Sequence, residues 1–470
     1  MKKIIVIGAG MGGLSAAIRL SQFGYQVVVL EARSTPGGLA SGFELDGVRF
    51  DAGPYILLDL PGLQWAFHAL GIDVRERVEL RRIQDVYQVT DDSGAVVHFY
   101  ADLQQTAAAM EQQWPGTGDR YVRFVDSASR VYNRLSPMLT TPEPGLGQLL
   151  RTGAWKNAAF LLSSLQGILQ RTGLPAPVMN AIGIWTHVAG QRMNTAPAPM
   201  SFVPGLIHGV GSYYPVGGIG ALPQLLARVA DSAGVTLRTG VKVKSIRCRD
   251  KGNRVTGIET VAGEYLECDA VVANCGGVGA YVELLPEIRS SIKAQMALLP
   301  LQSPGISAYL MVRGAVSSPY LKFRLSEPPD ACRLFITPTV MEPELTSGEW
   351  HPARLLMPLD HDRAQAMGAA GQTEILNRML NETWWQAGII EFKVLGTRIP
   401  EQWGTDFHLY NNSMNPVMTA AFMRAGRLAH RSPWVRGLYL AGSATHPGQW
   451  VSFCSVSGVL AAQTLHQDLA

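Results

Sequence analysis

The chain opens on a short apolar run, Ile4-Ile5-Val6-Ile7, rich in β-branched residues, which predicts a buried parallel strand. Leu14-Ser15-Ala16-Ala17-Ile18-Arg19-Leu20 follows and predicts a helix; Tyr25-Gln26-Val27-Val28-Val29-Leu30 predicts a second strand that ends at Glu31. Phe43 to Pro54 reads as a hairpin about the Asp46-Gly47 turn. Leu146, Leu149, Leu150, Ala154, Ala158, Leu161, Leu162, Leu165, Ile168 and Leu169 recur at helical spacing, flanked by Trp155, Lys156 and Arg171. Such a basic amphipathic helix fits a membrane interface or a domain core equally well.

With 470 residues the chain exceeds what one core usually supports, so two or more domains are expected. Charged residues make up 16%, against ~25% in an average soluble domain. A net charge of +3 gives no bulk electrostatic reason for nucleic-acid binding, and none is expected. Five cysteines (Cys248, Cys268, Cys275, Cys332 and Cys454) lack metal-ligand spacing and read as free thiols in a reducing compartment; no metal site is expected. The N-terminal apolar run is too short for a signal peptide, and no stretch approaches the ~18 apolar residues of a membrane span. The placement expected is cytoplasmic, with peripheral contact on the inner face of the membrane.

Acids are unevenly placed. None occurs from residue 144 to 230, where five basic residues stand (Arg151, Lys156, Arg171, Arg192 and Arg228), and a second acid-free stretch runs from Phe407 to Gln467. A buried region would look like this. So would a tunnel or surface handling a very apolar ligand near anionic lipid, where carboxylates are penalised.

The candidate chemistry lies where the first strand meets the first helix. Gly8, Gly10 and Gly13 stand in GxGxxG spacing, with Met11 and Gly12 inside the loop. Gly8 makes the tight turn, Gly10 admits a pyrophosphate to the backbone, and Gly13 lets helix and strand pack. The helix N-terminus faces the phosphates, and Glu31 at the end of the second strand accepts from ribose hydroxyls. Strand, helix, strand and terminal acid together make a dinucleotide site. Ala32 and Arg33 lead into a second glycine-rich turn at Gly37, Gly38 and Leu39, followed by Phe50-Asp51-Ala52-Gly53-Pro54.

These segments resemble the flavin amine-oxidase superfamily, in which FAD lies across both glycine turns, and Phe50 to Pro54 looks most like its phytoene desaturase and carotenoid isomerase branch. Tyr214 to Leu222 and Gly234 to Ile246 are similar to the block that returns the chain to the FAD domain, where a backbone amide at Val243 would meet the adenine. Asp269 to Asn274 resembles the strand where the chain leaves again. Gly437 to Gly448 is similar to the C-terminal flavin motif, with Gly442 and Ser443 at the pyrophosphate and the helix beyond it aimed at the isoalloxazine. Gly190 to Pro199 looks like the substrate-domain signature. The resemblance spans nearly the whole chain.

Two departures stand out. Gln449-Trp450-Val451-Ser452 replaces the glycine and proline common in desaturases, so Trp450 either packs the flavin edge or reshapes the substrate floor. Ser443 replaces an acid common in the wider superfamily. No catalytic residue is assigned. His446 within the flavin motif and His187 near Trp185 read mainly as structural, and Asp360-His361-Asp362 reads as a solvated turn.

The resemblance implies an α/β fold: a Rossmann-type FAD domain from residues 1–70, 205–285 and 395–470, and an α+β substrate domain from 71–204 and 286–394. It implies an FAD-dependent oxidoreductase acting on a long apolar polyene or isoprenoid, by desaturation or flavin-assisted isomerisation, with the electron acceptor unspecified. Two alternatives stay open. A flavin amine oxidase would carry a lysine near the flavin, but Leu301 to Leu310 has none. A prenyl-binding carrier, like the Rab GDP-dissociation inhibitors that resemble this scaffold, would lack flavin.

Overall fold

A computed structural model describes residues 1–142, 146–151, 153–249, 253–326 and 332–470. The N-terminal pattern folds as expected. Lys3–Ile7 and Gln26–Leu30 pair in parallel around the helix Met11–Gln22. They are the third and fourth strands of a five-stranded parallel sheet whose spatial order is Leu438–Leu440, Ala270–Ala273, Lys3–Ile7, Gln26–Leu30 and Thr236–Arg238. Ile4, Ile5 and Val6 are fully buried, as strands covered on both faces require. One face packs on the helices Met11–Gln22, Ala221–Ser232 and Val451–Leu469. The other packs on a three-stranded antiparallel sheet of Val243–Arg249, Arg254–Thr260 and Tyr265–Glu267.

A seven-stranded sheet carries a second core. Its order is Ile389–Arg398, Ile306–Gly314, Trp350–Met357, Cys332–Ile336, Leu321–Leu325, Asp85–Thr90 and Val96–Tyr100. Only the pair Leu321–Leu325 with Asp85–Thr90 is parallel. The helices of residues 103–135 and 165–209 cover one face through Tyr87, Phe99, Tyr121 and Ile207. The expected hairpin forms: Phe43 faces Phe50 and Leu45 faces Val48, with Asp46 and Gly47 both at positive φ (48° and 74°), as a primed two-residue turn requires.

Two expectations change. The stripe from Leu146 to Leu169 does not make one helix. The chain forms Leu146–Arg151, then turns at Gly153 in the left-handed region (φ 69°) and continues as the short helices Ala158–Leu161 and Leu165–Leu169. Ser164 starts the last by accepting from Gly167 N at 3.2 Å. Periodicity across a glycine and a capping serine mimicked a continuous helix. Asp360-His361-Asp362 is not a solvated turn either. Asp360 caps the helix His361–Leu380 by accepting from Arg363 N at 3.0 Å, and the buried His361 hydrogen-bonds Asn411 O at 2.9 Å through Nε2. The five cysteines are free, as expected. Among the described residues no helix is long and apolar enough to cross a membrane, and no cluster of His, Cys, Asp and Glu could hold a metal.

Candidate cofactor and substrate cavity

The carboxyl ends of the parallel strands open into a cavity of about 460 Å³. Open parallel sheets place ligands at this edge because the connections diverge there. Gly8 leaves the first strand at φ 94°, with its N–H donated to Leu30 O at 2.8 Å. Gly13 sits where a Cβ would come 2.0 Å from Gly8 O, so only glycine allows the helix this close to the strand. Of the twenty-one residues expected from the sequence to bind the cofactor, Gly13 alone does not line the cavity. Gly8, Gly10, Met11, Gly12, Glu31, Ala32, Arg33, Gly37, Gly38, Leu39, Gly53, Pro54, Val243, Asn274, Gly442, Ser443, Gln449, Trp450, Val451 and Ser452 all do.

Glu31 is 7% exposed. Its Oε2 accepts from Ala9 N at 2.7 Å and its Oε1 from Arg33 N at 2.9 Å, so one carboxylate ties both glycine turns to the second strand. Gly10 and Gly37 bridge the turns, and Gly37 N donates to Ala9 O at 2.8 Å. Asn274 is wedged beneath them. Its Nδ2 donates to Gly8 O at 3.3 Å, and its Oδ1 occupies the space that side chains at Gly12 and Gly442 would need. This floor is backbone and amide, free of bulk. A flat dinucleotide with two phosphates fits it: the strand-end acid for ribose, and two helix N-termini, Met11–Gln22 and Val451–Leu469, for negative charge and electron-rich oxygen.

Sequence reasoning missed several lining residues. Arg33 stacks on Phe407 (4.2 Å to the ring centre), and Lys242 and His408 stand beside it at the same end. Burial lowers the Arg33 and His408 pKa values. Gln302, Asn415 and Tyr410 come from segments without a local motif. The buried Arg354 donates to Gly53 O at 2.6 Å and to Ser307 Oγ at 3.1 Å, which holds the Asp51–Pro54 strap against the cavity. Asp51 accepts from Ile219 N and Gly220 N at 3.0 and 3.1 Å, yet burial pushes its pKa up to about 6.

Beyond the glycine floor the walls become apolar: Trp185, Val188, Met200, Val203, Leu356 and Trp450. Trp450 precedes the helix Val451–Leu469, stacks on Phe453 at 5.0 Å, and packs against the core of the seven-stranded sheet. It thus joins the two halves of the cavity. Among the described residues three carboxylates line the space, Glu31, Glu283 and Asp59, and Asp59 belongs to the Tyr55–Asp59 segment that borders the apolar end. Asp59 is 2% exposed; Ser452 Oγ donates to it at 3.0 Å and Gly62 N at 3.2 Å, and burial raises its pKa. Cys454 also lines the cavity, but burial pushes its thiol up to about 12, so it is not a nucleophile. His446, read from the sequence mainly as structural, does not line it. Its Nε2–H donates to Met138 O at 2.9 Å and burial lowers its pKa to about 4, so it stays neutral. His187 is likewise held neutral by burial and does not line the cavity.

Residues 11–311 match the family described as flavin containing amine oxidoreductase, and residues 198–462 match that described as FAD dependent oxidoreductase. A zeta-carotene-forming phytoene desaturase of Myxococcus xanthus is 26% identical over 99% of this chain and 94% of its own. A carotenoid 3,4-desaturase of Haloarcula japonica is 26% identical over 99% of this chain and 98% of its own. Among solved structures, an oxidoreductase from Methanosarcina mazei superposes with a TM-score of 0.67 at 16% identity, covering 97% of this chain and 98% of that one. A putrescine oxidase variant superposes at 0.65 with 14% identity, covering 100% and 98%; at such identities both share the fold alone. The cradle and the sequence matches agree: the chain is an FAD-dependent oxidoreductase and belongs to the flavin containing amine oxidoreductase family, in its phytoene desaturase-like branch.

Proposed function

We propose that this enzyme desaturates a long apolar polyene, with FAD on the glycine floor and the substrate in the apolar end of the same cavity. The observation that carries the reading is the change of lining within one cavity, from glycine backbone and Glu31 to Trp185, Val188, Met200, Val203 and Leu356. Full-length similarity to carotenoid desaturases supports it.

FAD, when bound, supplies the two-electron oxidant that takes a hydride from one carbon while the neighbouring carbon loses a proton. Glu31 would hold the adenosine ribose and the Val243 backbone the adenine; Gly10, Gly12, Gly442 and Ser443 would hold the pyrophosphate. Gly37, Gly38, Leu39, Gly53 and Pro54, with Gln449 to Ser452, would hold the rest of the cofactor. The apolar walls exclude water. Asp59 takes the proton: its raised pKa makes it a better base than an exposed aspartate. Gln302 and Ser303 stand in the segment where an amine oxidase would carry lysine, which disfavours amine chemistry.

The FAD domain is built from residues 1–70, 205–285 and a third segment expected from 395 to 470, with the remainder forming the substrate domain. Because the strand Ile389–Arg398 belongs to the seven-stranded sheet, the third segment is best begun after Arg398. The apolar surface around Leu150, Trp155 and Leu162, each more than half exposed, is the face that would rest on an anionic membrane. Anaerobic mixing of yellow holoenzyme with a linear polyene should bleach the flavin. A polyene that leaves the flavin oxidised, while an amine bleaches it, would overturn the reading.

A further inference from the structure

Three side-chain amides from separate segments meet on the cavity wall. Gln302 precedes the strand Ile306–Gly314, Asn415 lies in the loop after Asn412, and Gln449 stands two residues before the helix Val451–Leu469. Gln302 and Asn415 are 5% and 7% exposed. The segments are pinned by backbone bonds: Gln302 N donates to Asn415 O at 3.0 Å and Met414 N to Gln302 O at 2.9 Å.

The orientation of the trio follows from its partners. Asn415 Nδ2 lies 2.9 Å from Pro416 O, a carbonyl that can only accept, so this end of the amide is the NH2. The same Nδ2 lies 2.7 Å from Gln449 Oε1 and 3.3 Å from Gln302 Oε1. Both glutamines therefore turn their carbonyls toward Asn415 and their NH2 groups away from it. Among the described residues neither NH2 has a protein partner, and both residues line the cavity. Two donors fixed by a buried asparagine thus stand beside the positive N-terminal end of a 19-residue helix. No acceptor balances them locally. Left unpaired in a water-poor site, each NH2 would carry the desolvation penalty of a lost hydrogen bond.

We infer that Gln302 and Gln449 form a donor pair for a carbonyl-type oxygen, either on the cofactor ring or on an oxygenated end of the substrate. This rests on the cofactor and substrate placement proposed above. A purely hydrocarbon occupant would bury both donors unpaired; a carbonyl or hydroxyl oxygen satisfies them.

Two Gln449 variants with opposite side effects test this in the holoenzyme. Q449M removes the donor without adding charge, but also removes the oxygen nearest to Asn415 Nδ2. Q449E keeps that oxygen but removes the donor and adds charge. The flavin reduction potential and absorption spectrum report on the cofactor oxygen. Binding of a linear hydrocarbon polyene against its terminal aldehyde, read from flavin spectral perturbation, reports on the substrate oxygen. The expected result is that both variants move the same readout: a lower potential in each, or about tenfold loss of aldehyde preference in each. A readout that moves in Q449M alone reflects the lost Asn415 contact, and one that moves in Q449E alone reflects bare charge; either result, or no movement, overturns the inference. A wild type purified without FAD would instead overturn the cofactor reading on which it rests.

Discussion

Ser452 Oγ donates a hydrogen bond to Asp59 Oδ2 at 3.0 Å, across 393 positions of sequence. Ser452 belongs to the first turn of the C-terminal helix, and Asp59 caps the helix Leu60–Ala69. One buried carboxylate therefore ties the helix end that faces the cavity to the segment bordering its apolar half. Asp59→Asn keeps an acceptor for Gly62 N, so the cap survives and stability should change by less than about 1 kcal/mol. Turnover of polyene should fall by roughly 10²–10⁴-fold if Asp59 takes the proton. Chemical denaturation and single-turnover flavin reduction, measured on one preparation, separate the two effects; unchanged reduction would remove Asp59 from the chemistry.

Glu31 holds Ala9 N and Arg33 N as well as the proposed ribose. Glu31→Ala should strip most of the FAD, because charge-assisted bonds of about 1.5–3 kcal/mol each are lost. It should also lower the melting temperature of the apoprotein, since both glycine turns lose their anchor. Flavin absorbance per protein and apoprotein melting check the two consequences. Full FAD retention would place the ribose elsewhere.

Trp450 faces the cavity on one side and packs on the substrate-side core on the other. Trp450→Gly should keep FAD, because neighbouring backbone holds the flavin. It should widen the accepted range of polyene lengths by removing roughly 150–250 Å² of indole surface from the channel. A substrate-length series decides this; unchanged specificity with a large drop in melting temperature would show that packing is its whole role.

The Asp51 carboxyl sits near pH 6 in the folded protein against an ordinary value of 3.8. The native state holds this proton longer than the unfolded chain. Its contribution to stability is therefore full below about pH 4 and lost as pH rises toward 6, a change of roughly 3 kcal/mol. Asp51→Asn keeps one acceptor oxygen, so only one of Ile219 N and Gly220 N stays paired; it should lower stability at every pH while flattening this part of the profile. Urea titrations of both proteins at several values between pH 4 and 7 check the difference, and parallel profiles would refute it.

Arg151, Lys156 and Arg171 are all exposed, and Lys156 lies 5.8 Å from the Trp155 ring centre. Reversing the three to glutamate should abolish sedimentation with anionic vesicles, and rising salt should weaken binding of the wild type. Undiminished sedimentation of a folded triple variant would rule this surface out as the contact.

The sequence by itself determined the cradle. Gly8, Gly10 and Gly13 between two apolar strands, with Glu31 at the end of the second, leave one local fold, because backbone freedom, close packing and a terminal acid are all written within thirty-one residues. The Asp46-Gly47 hairpin was legible for the same reason. Legibility ended where a role depends on neighbours from distant segments. Periodicity could not show that Gly153 and Ser164 divide the stripe from Leu146 to Leu169, since a helical repeat survives a break that restarts in phase. Asp360 read as a turn because capping becomes visible only once the helix exists. Asp59, Arg354, and the amides of Gln302 and Asn415 carry no motif. Their chemistry comes from burial and from partners that only tertiary packing brings within hydrogen-bonding distance.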